Sequence, residues 1–129
     1  MESLTVLTAL TLFLVKHTLA DYFLQFSWMI KDKAIYGAKG GIAHAGLHGV
    51  LTSLVLLVMG LPIMAGLKLE KIDFIIHYHI DFIKSNLWKS KNLKATDQMF
   101  WVIHGVDQML HGLTYIFIIW IILRMASGQ

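Results

Sequence analysis

The sequence predicts an all-α integral membrane protein, a four-helix bundle in which the third helix is short. Of the 129 residues, 57% are hydrophobic, against roughly 45–50% in an average soluble domain, and the mean hydropathy is +0.64. The apolar residues also form blocks nearly free of charge, at 4–15, 50–65 and 114–125. A soluble protein of this length could not bury blocks of this kind, so we expect most of the chain to face lipid.

Four helices are expected within a single transmembrane domain, residues 1–129. Crossing about 30 Å of hydrocarbon takes roughly 20 helical residues. The first, second and fourth helices, at about 4–29, 41–61 and 98–125, are long enough, whereas the third, at about 72–88, is short and polar. We expect the first helix to be retained, because no basic region or small-residue cleavage site of a secretory signal is present.

The loops carry the basic residues, and their placement bears on topology. Three lysines separate the first two helices and four separate the last two: Lys31, Lys33 and Lys39, then Lys84, Lys89, Lys91 and Lys94. If the third helix crosses the membrane, both basic loops lie on one side. The positive-inside rule then makes these loops cytoplasmic and places both termini outside. We expect the membrane to be the bacterial inner membrane.

Composition excludes several function classes. The chain has no cysteine, which excludes disulfides, thiolate metal ligands and a thiol nucleophile. Its net charge of +3 comes from loop lysines, which we interpret as topology signals, so no nucleic-acid partner is expected. Membrane lipids are the expected partners, with a homo-oligomer as one way for so short a chain to enclose a substrate pocket.

Ionisable residues inside the predicted helices recur at spacings of three or four. They are His17 and Asp21; His44 and His48; Asp73, His77 and Asp81; and His104, Asp107 and His111. Residues three or four apart share one face of a helix. Each helix therefore has a polar face that it could turn inward.

These polar residues also lie at one depth. Counted from the expected cytoplasmic helix ends, one residue of each helix lies about seven or eight positions in, which corresponds to roughly 10–12 Å: Asp21, His48, Asp81 and His104. One turn deeper are His17, His77 and Asp107. The layer forms only if all four helices cross the membrane, so the predicted topology and the predicted site support each other.

A divalent metal ion accounts for this layer. A charge at the centre of a membrane helix costs about 2.5–3.5 kcal/mol even on insertion scales, more than polar contacts between helices return. Imidazole and carboxylate are metal ligands, and the ion offsets the cost of burying aspartates. Zinc is our first choice, with iron or manganese as alternatives, and one or two ions fit the nine candidate ligands: His17, Asp21, His44, His48, His77, Asp81, His104, Asp107 and His111. A structural polar network without metal is the alternative.

Four ordered motifs resemble a family of small bacterial and phage integral membrane proteins whose domain has no known function. They are HTLADYFLQ (17–25), HAGLH (44–48), HYHIDFIK (77–84) and DQMLH (107–111). The resemblance implies a shared polar set of His17, Asp21, Gln25, His44, His48, His77, Asp81, Lys84, Asp107, Gln108 and His111. A looser likeness to membrane-bound metal-dependent hydrolases is one of chemistry, not of fold.

Three further residues have two interpretations each. Gln25 and Gln108 could orient a metal ligand or make ordinary hydrogen bonds between helices. Lys84 could hold an anionic headgroup or simply extend toward the membrane interface. Lys16 lies near the middle of the first helix, and the sequence gives no account of it.

Three functions remain open from the sequence. The leading hypothesis is a metal-dependent hydrolase of a lipid or lipid-linked substrate, in which Asp107 or Asp21 is the general base. The second is a transporter or channel for a divalent cation or protons. Residues 51–58 and 116–123 carry no ionisable group, which favours a closed pocket over a continuous path. The third is a structural or interaction protein held together by metal.

Overall fold

The computed structural model describes residues 2–128, and the chain is helical with no strand in this part. It has five helices: α1 Glu2–Thr18, α2 Ser27–Asp32, α3 Lys39–Val58, α4 Ile63–Ser90 and α5 Gln98–Ala126. The all-α prediction is confirmed. A simple bundle of four helices is not confirmed, because an additional short helix follows α1. The prediction of a short third helix is wrong, because α4 has 28 residues.

The expected single helix at 4–29 is interrupted. Helix α1 continues into a π-helical turn, Leu19–Phe23, after which the chain leaves the helix and reaches an extended backbone at Phe26. The interrupted stretch contains neither glycine nor proline, so no local signal marks it. The π-helical turn carries Asp21, and such turns are frequent at functional sites.

Helix α4 begins much earlier than expected, immediately after Pro62. The fixed φ of proline favours the start of a helix, and Gly60, at φ +80°, makes the turn from α3 possible. The charged residues of 68–71, which we expected in a loop, lie inside the helix. At 1.5 Å per residue, α4 is roughly 42 Å long.

Helices α3 and α4 form an antiparallel pair over most of the length of α3. Thr52 donates a hydrogen bond to Asp73, the rings of His48 and His77 stack 3.6 Å apart, and His44 lies 3.3 Å from Asp81. Each step of four residues back along α3 thus matches four residues forward along α4. Helix α4 consequently runs beside α3 at the same depth.

Three stretches are long and apolar enough to cross a membrane: Ser3–Phe23, Lys39–Val58 and Gln98–Ala126. Helix α4 is too polar to meet that criterion on its own. Much of the outer surface is apolar, with Val58 76% exposed and Phe23 71% exposed, as expected where lipid covers a protein. The chain is therefore consistent with a membrane protein.

The interior is divided into an apolar half and a polar half. Helix α5 runs antiparallel to α1, with Phe13 stacked on Tyr115 at 5.1 Å, and antiparallel to α4, with Phe100 stacked on Trp88 at 4.0 Å. The apolar half, which we call the apolar core, consists of Ala9, Phe13, Val55, Leu56, Leu69, Tyr115, Ile118 and Ile119. The other half contains the buried histidines and aspartates.

Helix α2 packs closely against the start of α3 because Gly40 has no side chain. A Cβ at Gly40 would lie 2.7 Å from the carbonyl oxygen of Trp28 and 2.9 Å from Cβ of Asp32. The Gly40 N–H donates to Asp32 Oδ2 at 3.3 Å, which caps α3. This contact fixes the segment after α2, and that segment places Lys33 in the polar half.

The antiparallel packing predicts which loops share a side of the membrane. Single cysteines replacing Ala38 and Ser90 should react with an impermeant maleimide from the same side, because α3 and α4 place these positions at one end of the molecule. A cysteine replacing Met64, which is 68% exposed, should react from the opposite side. The absence of native cysteine makes the cysteine-free parent the control, and labelling of positions 64 and 90 from one side would contradict four crossings.

Candidate metal centre

Five buried histidines, which we call the histidine cluster, meet in the polar half. They are His17 from α1, His44 and His48 from α3, His77 from α4 and His111 from α5. The ring of His77 lies 3.6 Å from that of His48 and 4.1 Å from that of His111. The equal depth predicted from the sequence therefore brings residues of four helices to one place.

The first group of potential ligands is built around Asp21. Its Oδ1 accepts hydrogen bonds from Nε2 of His44 at 3.1 Å and of His48 at 3.0 Å. Together with His77 these residues offer four ligand atoms that lie within 4.8 Å of one another. The π-helical turn is what brings the Asp21 carboxylate to these two histidines.

The second group consists of His77, Asp81 and His111, whose ligand atoms also lie within 4.8 Å of one another. His77 Nε2 is 3.4 Å from Asp81 Oδ2, and His111 Nε2 is 3.5 Å from Asp81 Oδ1. Asp107 adjoins this group, with Oδ1 3.5 Å from His111 Nε2. His77 belongs to both groups.

Buried polar atoms of the second group make no hydrogen bond. They are both ring nitrogens of His77, Nε2 of His111, Oδ1 of Asp81 and Oδ1 of the adjacent Asp107. More than nine in ten buried polar groups are normally hydrogen-bonded, and an exception needs an explanation. A divalent cation could bind one ring nitrogen of each histidine together with the carboxylate oxygens. The donor set of this group therefore fits a metal ion.

Buried lysines neutralise most of the buried aspartates. The pairs are Lys16–Asp73 at 2.7 Å, Lys33–Asp81 at 2.6 Å and Lys84–Asp107 at 2.8 Å. Asp21 is the fourth buried aspartate, and within the described residues no lysine lies within ion-pair distance of it. Asp21 instead accepts hydrogen bonds from His44 and His48.

Lys16 and Asp73 have a clear place in this network. Lys16 Nζ donates to Asp73 Oδ2, which also accepts from the Thr52 hydroxyl at 2.5 Å. Lys16 Nζ also lies 3.4 Å from His48 Nδ1. Sequence reasoning did not assign either residue a role, although the spacing of Asp73, His77 and Asp81 on one face could have indicated Asp73.

Three predicted ligands lie outside both groups: His17, His104 and Asp107, which only adjoins the second group. His17 is buried, but its Nδ1 lies 2.8 Å from the Tyr115 hydroxyl and its Nε2 lies 2.9 Å from Gln108 Oε1. His104 is at the edge, with a side chain 25% exposed and Nδ1 4.0 Å from Asp107 Oδ2. Helix periodicity puts His104 on the face of Asp107, but its ring lies 6.1 Å from that of Trp88 and its Nε2 lies 3.4 Å from the Tyr22 hydroxyl.

The two glutamines bond different parts of the network: Gln108 bonds two carboxylates, and Gln25 bonds the Asp21 backbone and Lys33. Gln108 donates to Asp21 Oδ2 at 3.2 Å and to Asp107 Oδ2 at 3.0 Å. Gln25 donates to the Asp21 carbonyl at 2.9 Å and accepts a hydrogen bond from Lys33. Lys33 thus connects Gln25 to Asp81.

Two cavities reach this network from different directions. The first, which we call the basic pocket, has a volume of about 490 Å³, and its charged lining residues other than His104 are Asp21, Lys31, Lys33, Lys84 and Lys89. The second, which we call the apolar cleft, has a volume of about 90 Å³ between α4 and α5. Ile83 and Val106 are among its walls, and Lys84 and Asp107 line it. Lys84 therefore borders both cavities.

The fold and the site define an all-helical protein with helices able to cross a membrane and His/Asp groups that could hold a metal ion. The chain belongs to the family described as "Protein of unknown function (DUF3307)", whose model matches residues 9–128. The resemblance seen in the four motifs is therefore confirmed. No curated protein and no solved structure is significantly similar to the chain.

The Lys16–Asp73 pair predicts a strong coupling between two substitutions. Lys16→Met should destabilise the protein by about 3–5 kcal/mol, because it leaves the Asp73 carboxylate buried without its partner. Combining it with Asp73→Leu should restore most of the stability, because the uncompensated charge is then gone. The unfolding temperature in detergent measures both effects. A double variant no more stable than Lys16→Met would contradict the coupling.

Proposed function

We propose that this protein is a metal-dependent hydrolase of a lipid or lipid-linked substrate, embedded in a membrane. The observation that carries the proposal is the set of buried ring nitrogens and carboxylate oxygens of His77, Asp81 and His111 that make no hydrogen bond. Burying such groups without a partner costs about 1–3 kcal/mol each, which a bound cation would remove. Two cavities reach residues beside this group: Asp21 and Lys84 line the basic pocket, and Lys84 and Asp107 line the apolar cleft.

Zinc is the ion we favour, with iron or manganese as alternatives. The two groups together supply four imidazoles and two carboxylates from His44, His48, His77, His111, Asp21 and Asp81, and imidazole-rich sites without sulfur suit zinc. Because His77 belongs to both groups, a single ion could bind in either of them. If two ions bind, His77 could be a ligand of one of them or of both.

We further propose that α1, α3, α4 and α5 all cross the membrane. Helix α4 runs beside α3 at equal depth and turns Asp73, His77 and Asp81 inward, where all three are buried. These three residues therefore do not oppose crossing, because their side chains meet protein and not lipid. Both lysine-rich loops would then face the cytoplasm of a bacterial cell, with both termini outside.

The residues divide into metal ligands and a general base. A bound divalent cation would polarise the scissile group and lower the pKa of a water molecule. Asp107 is the better base of the two aspartates considered, because it belongs to neither ligand group and its Oδ1 makes no hydrogen bond. Lys84 and Gln108 bond its Oδ2, which leaves Oδ1 to accept a proton. Asp21 instead belongs to a ligand group, and both its oxygens are hydrogen-bonded.

The two cavities favour an amphiphilic substrate. Lys84 separates the basic pocket, which suits a charged headgroup, from the apolar cleft, which suits a hydrocarbon chain. A transport path would instead have to continue through the apolar core, whose residues include Phe13, Leu56 and Ile118, each 0% exposed. These observations support a site that is closed at one end. A purely structural metal site would need neither cavity.

The metal is the first point to test. Protein purified without chelator should contain about one or two divalent transition-metal ions per chain, as the ligand number of zinc sites requires. His77→Ala should lose most of this metal, because His77 belongs to both groups. Elemental analysis by mass spectrometry measures the content.

His79→Ala is the matched control for that experiment. His79 is two residues away on the same helix but exposed, bonded to the Ile75 carbonyl and near the Tyr36 hydroxyl. This variant should keep the metal content of the wild type. A stable wild-type protein that contains no metal would overturn the proposal.

The general base gives a test of catalysis. Asp107→Asn should keep the metal and the fold but lower turnover by roughly 10²–10⁴-fold, because an amide cannot accept the proton. Protein in native lipids, with and without chelator, would be followed by mass spectrometry of the lipids. A product should form with the wild type and be absent with chelator and with Asp107→Asn.

The control is Asp97→Asn, at the start of α5 and outside both ligand groups. This variant should turn over like the wild type. If no lipid or lipid-linked species changes although the protein contains metal, the hydrolase proposal is wrong. A structural or interaction protein held together by metal would then be the better explanation.

A further inference from the structure

The basic pocket carries more positive charge than its surroundings neutralise. Four lysines line it, from the segment 31–33 and from α4, against the single carboxylate of Asp21. Two of them, Lys33 and Lys84, are buried and paired with Asp81 and Asp107. Their charges hold the aspartates in place and still contribute to the potential of the pocket.

The other two lysines have no such partner. Lys31 and Lys89 are exposed at the pocket wall, and neither makes a hydrogen bond or ion pair within the described residues. They come from two different helices, α2 and α4, so they flank the pocket from separate walls. Ser85 and Asn92 also line it and add neutral donors.

The geometry points to a phosphate group as the ligand of the basic pocket, and we propose that the substrate is a phosphate ester. A phosphate has several strong acceptor oxygens and up to two negative charges, so it can engage ammonium groups from several directions. Lysine binds phosphate as a point charge and requires no planar fork geometry. Two unpaired ammonium groups, with further donors lining the same pocket, match this chemistry.

The apolar part of the pocket wall favours a phosphate carried by a lipid. Ile30, Trp88 and Leu93 line the same pocket, and α2 exposes Trp28 and Ile30 by about half. Tryptophan and lysine together are typical of the boundary between a membrane and water. A headgroup at this boundary would place its ester linkage next to Lys84 and the ligand groups. Phosphate binding itself does not depend on the proposed function. Only the statement that this phosphate is part of the substrate rests on it.

Lysines that only set the topology of the helices should contribute less to phosphate binding than lysines that line a defined site. Lys91 and Lys94 are exposed near the same end of the molecule but do not line the pocket. Removing them costs the same two charges as removing Lys31 and Lys89. A comparison of the two double variants therefore separates a defined site from general attraction to anions.

The test is isothermal titration calorimetry on the full chain in a nonionic detergent. The probes are dioctanoyl phosphatidic acid, dioctanoylglycerol, which lacks the phosphate, and inorganic phosphate. Phosphatidic acid should bind and dioctanoylglycerol should not. Lys31→Gln with Lys89→Gln should weaken binding by roughly tenfold or more, as expected for lost charge-assisted hydrogen bonds. Lys91→Gln with Lys94→Gln should change it by less than roughly twofold.

The outcomes distinguish a lipid phosphate from a soluble phosphate. They also distinguish failure of this inference from failure of the proposed function. Binding of inorganic phosphate but not of phosphatidic acid, with the same variant pattern, supports the phosphate site and assigns it a soluble ligand. Equal loss in both double variants, equal binding of dioctanoylglycerol, or no binding overturns the inference. The metal content of the same samples is measured in parallel. A protein that contains metal but does not bind phosphate rejects this inference alone. A protein that binds phosphate but contains no metal rejects the proposed hydrolase but not the phosphate site.

Discussion

The cost of burying charge governs the polar half of this molecule. Four aspartates and three lysines are buried beside five histidines, and none of these charges is stable there without a partner. Each lysine therefore bonds one aspartate, and Asp21 receives hydrogen bonds from two histidines. Because partners come from different helices, the network closes only when α1, α3, α4 and α5 are packed together, so the fold and the site depend on the same interactions.

The division of the interior into two halves gives the site its shape. The apolar core lies between the helices at one end, and the polar network begins one turn away at Thr52 and Asp73, where Lys16 completes the ion pair. Beyond the histidine cluster, the π-helical turn and α2 open the structure into the basic pocket. The site is therefore closed by the apolar core at one end and open to the basic pocket at the other.

Lys33 connects the pocket to the site in a way that bears on metal binding. It bonds Asp81 Oδ2 at 2.6 Å and leaves Oδ1 of the same carboxylate facing His111 Nε2. Lys33 thus bonds one oxygen of Asp81, while the other makes no hydrogen bond and lies 3.6 Å from Lys84 Nζ. A similar division holds for Asp107, whose Oδ2 is bonded by Lys84 while its Oδ1 makes no hydrogen bond. The lysines orient the two carboxylates and lower the cost of burying them.

Helix periodicity and rise are local and fixed, so the sequence alone predicts the all-α fold, the polar face of each helix and the common depth of the buried histidines and aspartates. Spacing alone places His77 beside Asp81 and Asp107 beside His111. The packing of the helices fixes four other features: the interruption after Phe23, the pairing of Lys16 with Asp73, the pairing of Lys33 with Asp81, and the position of His104 at the edge. Those features depend on contacts between residues far apart in the chain, where the cost of burying a charge selects its partner and no local pattern records the choice.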